Sequence, residues 1–284
     1  MSHPTFVLTL SCPDSIGIVA AVANALADAS CNIVESAQHG DAVTGRFFMR
    51  TLFESTGGLD LAALERHLAS LAESRRMQIR LFDAVRKTPT VLMVSRFGHC
   101  LNDLLFRWRT GALPIEVKAV VSNHEDFRDL AAASGVPFHH LPVTPDNKVA
   151  QEAALEDILV REGVELVVLA RYMQILSPGF CASRPGQVIN IHHSFLPSFK
   201  GARPYHRAYE RGVKLIGATA HYVTADLDEG PIIEQAVERV GHQLSVDDYI
   251  AVGRDVEALV LARAVKWHAE HRVLLNGMRA VVFQ

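Results

Sequence analysis

Val188-Ile189-Asn190-Ile191-His192-His193-Ser194 begins as an apolar strand and ends on an amide, two imidazoles and a hydroxyl. Three other segments share its apolar character without the polar ending: Thr90–Val94, Val117–Val121 and Leu166–Leu169. Near-continuous apolar runs of this length suit strands buried on both faces of a parallel sheet. Helical patterns lie between them, at about 100–109, 125–133 and 148–162. This is the alternation of an α/β doubly wound domain, whose ligands gather outside the carboxyl ends of the strands. Downstream, Gly230-Pro231 introduces a further strand, a long helix is expected from about Ser245 to His268, and Asn276-Gly277 signals a hairpin between apolar strands.

Upstream the rhythm differs. Thr5–Leu10 alternates and runs into Cys12-Pro13-Asp14-Ser15-Ile16-Gly17, a turn with a helix start, before a helical stretch from Ile18 to Ala29. Asn32–Gln38 and Thr44–Phe53 read as strands joined across Gly40-Asp41. Leu59–Ser74 carries Leu61, Leu64, Leu68 and Leu71 on one helical face, and Met77–Phe82 alternates again. The order βαββαβ predicts a ferredoxin-like domain over 1–85, with two helices on one face of an antiparallel sheet. Arg86-Lys87-Thr88-Pro89 reads as a linker, and 90–284 as the second domain.

The 284 residues are 49% hydrophobic and 21% charged, ordinary for a globular protein. Lys and Arg number 28 against 31 Asp and Glu, a net charge of 28 − 31 = −3, which argues against nucleic acid or anionic lipid as partner. No apolar run approaches the roughly 20 residues of a membrane span, and no basic leader precedes Thr5–Leu10. Cys12, Cys31, Cys100 and Cys181 are scattered, consistent with reduced thiols and a cytoplasmic location.

Strand alternation places Asn190 and His192 on one face, about 7 Å apart, and His193 on the other. Asn190 can donate to an oxygen while His192 exchanges a proton, the pairing an acyl centre needs. A polar cap on a strand end is the other reading of the same residues. Likewise Asp226-Leu227-Asp228-Glu229 reads either as a solvated turn or as a loop bringing one carboxylate to His192. The 14 histidines include adjacent pairs, His139-His140 and His192-His193, which on strands point to opposite faces and cannot share an ion. With no HExxH motif or zinc-spaced cluster, no metal is expected. There is no GxSxG elbow, and Ser95–Asp103 holds a single glycine, which disfavours a nucleotide.

Together, Asn190-Ile191-His192-His193-Ser194-Phe195-Leu196-Pro197, Phe199-Lys200-Gly201-Ala202 and Leu227-Asp228-Glu229-Gly230-Pro231 resemble the folate-dependent formyltransferase fold. The resemblance is closest to the formyltetrahydrofolate deformylases, which add an N-terminal ACT domain, and it extends over the chain. Its marks include Cys12-Pro13-Asp14, His99-Cys100-Leu101, Ser122-Asn123-His124 and Ala170–Leu176. It implies hydrolysis of 10-formyltetrahydrofolate to formate and tetrahydrofolate, balancing one-carbon pools for purine biosynthesis. Asn190, His192 and Asp228 are then catalytic. Met173, Gln174, Leu176, His221 and Ala225 bind the substrate, and no cofactor is needed. The ACT half is expected to place Asp14 and Gly17 at a glycine or methionine effector and to assemble a homotetramer. Glycinamide ribonucleotide formyltransferases resemble this chain too, but their Gly-rich phosphate loop is replaced here by the sequence around Phe97–His99. Alternatives are transfer of the formyl group to an amine, or a non-catalytic folate-binding regulator.

Overall fold

A computed structural model describes residues 3–196 and 204–284. Pro197 and Phe199–Ala202, part of the motif quoted above, lie outside the described residues. The chain divides into two compact units. One comprises 1–86, 270–276 and 281–284, and the other 87–269 and 277–280.

The first unit runs β1 (Thr5–Pro13), α1 (Ile18–Asp28), β2 (Cys31–Asp41), β3 (Arg46–Ser55), α2 (Leu61–Ser74) and β4 (Gln78–Asp83). These strands form one antiparallel sheet in the order β2-β3-β1-β4, as a split βαβ arrangement requires. Alternate residues of the two central strands, Phe6, Leu8 and Leu10 with Phe47, Met49 and Phe53, meet Val22 and Leu26 of α1 and Leu64 and Leu68 of α2 in one core. Asp60 starts α2 by accepting the Ala63 N–H at 2.8 Å.

Residues 270–284 depart from the expected division. The hairpin β12 (Val273–Asn276) and β13 (Arg279–Val282) is expected from the sequence in the second domain, yet most of it clusters with the first unit. The reason is polar and specific. Arg272 and Arg50 both reach Glu35 Oε1, at 3.0 and 3.1 Å. Asn276 donates to Asp41 at 2.6 Å, and His271 stacks on Phe82 with centroids 3.6 Å apart. None of these pairings has a sequence spacing that would announce it.

The second unit comprises β5 (Thr88–Val94), α3 (His99–Arg109), β6 (Ile115–Ser122), α4 (Arg128–Ala133), β7 (Phe138–His140), α5 (Lys148–Arg161), β8 (Leu166–Leu169), α6 (Pro178–Ser183), β9 (Val188–His192), α7 (Pro204–Arg211), β10 (Leu215–Tyr222), β11 (Ile232–Arg239) and α8 (Val246–Ala269). Thr88 and Pro89, expected in the linker, begin β5, where a proline at a strand start forfeits one donor and no more. The sheet order is β11-β10-β9-β8-β5-β6-β7, parallel from β9 to β7 and antiparallel at β10 and β11. The chain leaves β5 on one side and returns on the other at β8, which opens a crevice beyond their carboxyl ends. Val91, Met93, Val121, Val167 and Val188 fill one face of this sheet with Leu155, Ile158 and Leu159 of α5.

Candidate active site

Backbone register assembles the site before any side chain is considered. In the antiparallel pairing of β9 with β10, Asn190 stands opposite His221 and His192 opposite Thr219. Directly opposed residues share a face, so Asn190, His192, His221 and Thr219 all project to the same side. Thr219 is buried, accepts the Leu196 N–H at 3.1 Å and donates to Ser194 O at 3.0 Å, fixing how the chain leaves β9.

Asp228 comes from the loop between β10 and β11. Two features pinch that loop at its base: Tyr222 N–H donates to Pro231 O at 2.9 Å, and Gly230 passes over the Tyr222 carbonyl. A Cβ at 230 would lie 1.8 Å from that oxygen, so no other residue fits. Asp228 itself has φ 59°, a left-handed conformation that aspartate tolerates better than most residues.

The result is a compact polar group. Asp228 Oδ2 lies 3.2 Å from His192 Nδ1 and Oδ1 lies 3.6 Å from His221 Nε2. Burial raises the Asp228 pKa, but hydrogen bonds from His192 and His221 outweigh it and hold the carboxyl well below the usual range. Asp228 is therefore an anion that can only accept, which places the His192 proton on Nδ1. The other nitrogen, Nε2, is buried and has no hydrogen-bond partner among the described residues. A buried lone pair without a donor is costly, and it marks the place for a proton-bearing group of a bound reactant. His221 is held in the same way: Nδ1 donates to Tyr222 O at 2.9 Å, and Nε2 faces Asn190 Nδ2 at 3.3 Å as well as Asp228 Oδ1.

His193 corrects the simple alternation. Its ring stacks on His192, centroids 4.9 Å apart, rather than pointing to the opposite face, because β9 ends at His192 and strand geometry ends with it.

These groups line a cavity of about 750 Å³, within the range of small-molecule sites. Met173, Gln174, Leu176, His221 and Ala225 line it with Asn190, His192 and Asp228, so all the residues expected at substrate come together. The segment after β8 is pinned from behind: Ser95 Oγ accepts the Met173 N–H at 2.9 Å and donates to Asn123 at 2.7 Å. Asp14 and Gly17 belong to the first unit, where Asp14 N–H donates to Gly45 O at 2.9 Å and Gly17, φ 84°, starts α1.

A second polar cluster on the cavity wall was not foreseen. Glu257 of α8 is 1% exposed; it accepts from His99 Nε2 at 2.8 Å and from the Tyr205 hydroxyl, and lies 3.3 Å from Arg171 Nε. The available signal was a carboxylate on an otherwise apolar helical face, one position from Val256 and three from Val260. Among the described residues His99, Cys100 and Glu257 also form a group of metal-ligating types. The His99–Glu257 hydrogen bond and the nearby guanidinium satisfy that carboxylate without an ion.

With this geometry established, comparison with known proteins is informative. A formyl transferase family model matches residues 89–265. A formyltetrahydrofolate deformylase from Corynebacterium sp. (strain P-1) is 51% identical over 279 residues, covering 98% of each chain. The chain belongs to the formyltetrahydrofolate deformylase family. The crystal structure of a formyltetrahydrofolate deformylase from Burkholderia mallei superposes with a TM-score of 0.95 at 54% identity, covering 99% of this chain and 100% of that one. A glycinamide ribonucleotide transformylase from Symbiobacterium toebii, 32% identical with a TM-score of 0.65, covers 70% of this chain and 95% of its own. The family assignment thus rests on near-complete coverage by deformylases, whereas the transformylase shares a part. Among the described residues no helix is long and apolar enough to cross a membrane.

Proposed function

We propose that the chain hydrolyses 10-formyltetrahydrofolate to formate and tetrahydrofolate in the cavity beyond β8 and β9. The observation that carries this reading is the His192 pair of nitrogens: Nδ1 held by an anionic Asp228, and Nε2 buried in the cavity that Asn190 also lines, with no partner among the described residues. Water attacks the formyl carbon and gives its proton to His192 Nε2, which Asp228 orients and stabilises as an imidazolium. Asn190 and the imidazolium then donate to the oxyanion of the tetrahedral intermediate. The bond to N10 breaks, the proton passes to that nitrogen, and formate leaves. One oriented donor to an oxyanion contributes about 2.7–4 kcal/mol, and a positioned acid–base group about 10²–10⁴-fold in rate. The pteridine packs against Met173–Leu176 and the loop at Ala225.

The first unit serves as an ACT domain, supported by its βαββαβ order and its open edge strands β2 and β4. Its β1–α1 turn, with Asp14 and Gly17, binds glycine or methionine, and its sheets pair between subunits of a homotetramer. The enzyme works in the cytoplasm and balances one-carbon units for purine biosynthesis, without a cofactor, metal or nucleic acid. Incubation of the purified chain with 10-formyltetrahydrofolate alone tests the reaction: formate is expected, and its absence rejects the reading.

A further inference from the structure

The cavity has two polar walls, and they are built on opposite terms. At His192 a buried nitrogen is left open toward the cavity among the described residues, whereas the one nitrogen without a hydrogen bond on the other wall, Arg171 Nε, is paired in charge with Glu257. At Glu257 the carboxylate is occupied from three sides by groups of three other elements: His99 at the start of α3, Arg171 after β8, and Tyr205 in α7. A carboxylate has about four acceptor positions, and two are taken here by hydrogen bonds while a guanidinium neutralises the charge. Burial raises the Glu257 pKa, but His99, Arg171 and Tyr205 outweigh it and keep the group ionised. The donors are themselves held. Arg171 has φ 64°, accepts the Ser95 N–H on its carbonyl at 3.2 Å, and places its guanidinium 5.5 Å from the centre of the Phe97 ring. The Tyr205 ring lies over Gly253, one turn before Glu257, where a Cβ would come within 2.2 Å of it.

We infer that Glu257 is a specificity-determining positioning residue: by gathering His99, Tyr205 and Arg171 it closes the second polar wall of the cavity to an amine acceptor and leaves water to receive the formyl group. This rests on the proposed hydrolysis. An amine competing with water must be recognised, and a carboxylate is the natural group to hold its N–H bonds or its ammonium form. Glu257 borders the same cavity as His192, but it is 1% exposed, each of its oxygens already accepts a hydrogen bond, and Arg171 balances its charge, so it offers an amine no open face. Water needs no such recognition beyond His192 and Asn190.

Freeing the carboxylate converts the wall into an acceptor site. The transfer then open to the cavity balances simply: the amine nitrogen bonds to the formyl carbon and loses a proton to His192, the bond to N10 breaks, and N10 takes the proton. The variants are Tyr205→Phe, which removes one oxygen and keeps the ring over Gly253, and the double variant His99→Ala/Tyr205→Phe. Each full-length chain is given 10-formyltetrahydrofolate with and without glycinamide as the amine, and formate and formylated glycinamide are both measured. The native chain is expected to release formate at a rate indifferent to glycinamide. The double variant is expected to bind glycinamide about tenfold more tightly than the native chain, to slow formate release in its presence, and to yield formylated amine, with Tyr205→Phe showing a smaller effect of the same sign. If the double variant does not fold, the same readouts on Tyr205→Phe decide. Variants that melt as cooperatively as the native chain yet form formate alone, at a rate glycinamide does not alter, overturn the inference. A native chain that releases no formate overturns the proposed function instead.

Discussion

Two carboxylates line one cavity and are built in contrasting ways. Asp228 sits on a loop closed by Gly230, takes a left-handed backbone, and presents its oxygens to two imidazoles, one of which keeps an open nitrogen. Glu257 sits in the 24-residue helix α8, and each of its oxygens accepts a hydrogen bond from a neighbour that holds the walls in place. The lesson is that an acidic residue works through what it leaves unsatisfied. A group that orients a base must leave the base hungry, whereas a group that shapes a cavity must leave nothing exposed.

The largest effect that would break this comparison is at the first carboxylate. Asp228→Asn keeps the size of the side chain and removes the charge that sets the His192 tautomer; turnover is expected to fall by about 10³–10⁴-fold while folate still binds. Steady-state formate release with calorimetric titration of a folate checks this, and near-native turnover would remove Asp228 from the mechanism. Next comes Glu257→Gln, which leaves Arg171 without its anion; about 3 kcal/mol of stability is expected to go, read as a lower urea midpoint. Because the Glu257 pKa is lowered in the folded chain from its ordinary 4.5, its stabilisation is complete above that pH and disappears as pH falls further. The glutamine variant should therefore lose less on acidification than the native chain does.

Gly230→Ala sharpens the contrast in another way, since it strikes the loop and spares the helix. Displacing Asp228 by about an ångström is expected to lower kcat roughly 10²-fold, while the clash of the new Cβ with the Tyr222 carbonyl lowers the Tm by less than Glu257→Gln does, measured by formate assay and thermal melt. Equal losses in both would place the loop in the core rather than the site. The smallest effect lies behind the site. His268 of α8 pairs through Nδ1 with the Tyr222 hydroxyl at 2.7 Å, and burial lowers its pKa from 6.5 to about 4, against a smaller opposing pull from Glu165. The neutral ring favours folding above pH 6.5, and this is lost as pH falls toward 4, at about 1.4 kcal/mol per pH unit. Denaturant titrations across that range should show the slope in the native chain and a flatter one in His268→Phe.

What could be read in the amino-acid order follows from the range of the forces involved. The placement of Asn190 and His192 on one face needs nothing beyond the period of a strand, and the loop closed by Gly230-Pro231 announces itself in its residues. The partnership of His221 with Asn190 depends on the register between β9 and β10, which neither strand encodes alone. Alternation alone misplaces His193, because β9 ends at His192 and the period of two does not extend past it. The Glu257 cluster joins positions 99, 171, 205 and 257, and no local pattern ties them. Thr88 and Pro89 looked like linker because proline breaks most strands, and the exception at a strand start depends on what lies beside it.

The division of the chain also bears on how it is made. The segment carrying Arg272 and Asn276 belongs to the first unit, yet it is translated after residues 87–269 of the second. On the ribosome Glu35 and Asp41 therefore wait for about 230 further residues before their partners exist. Assembly cannot proceed strictly from one end to the other, and a nascent chain released short of position 270 would carry a correctly ordered sheet with its polar fastening missing.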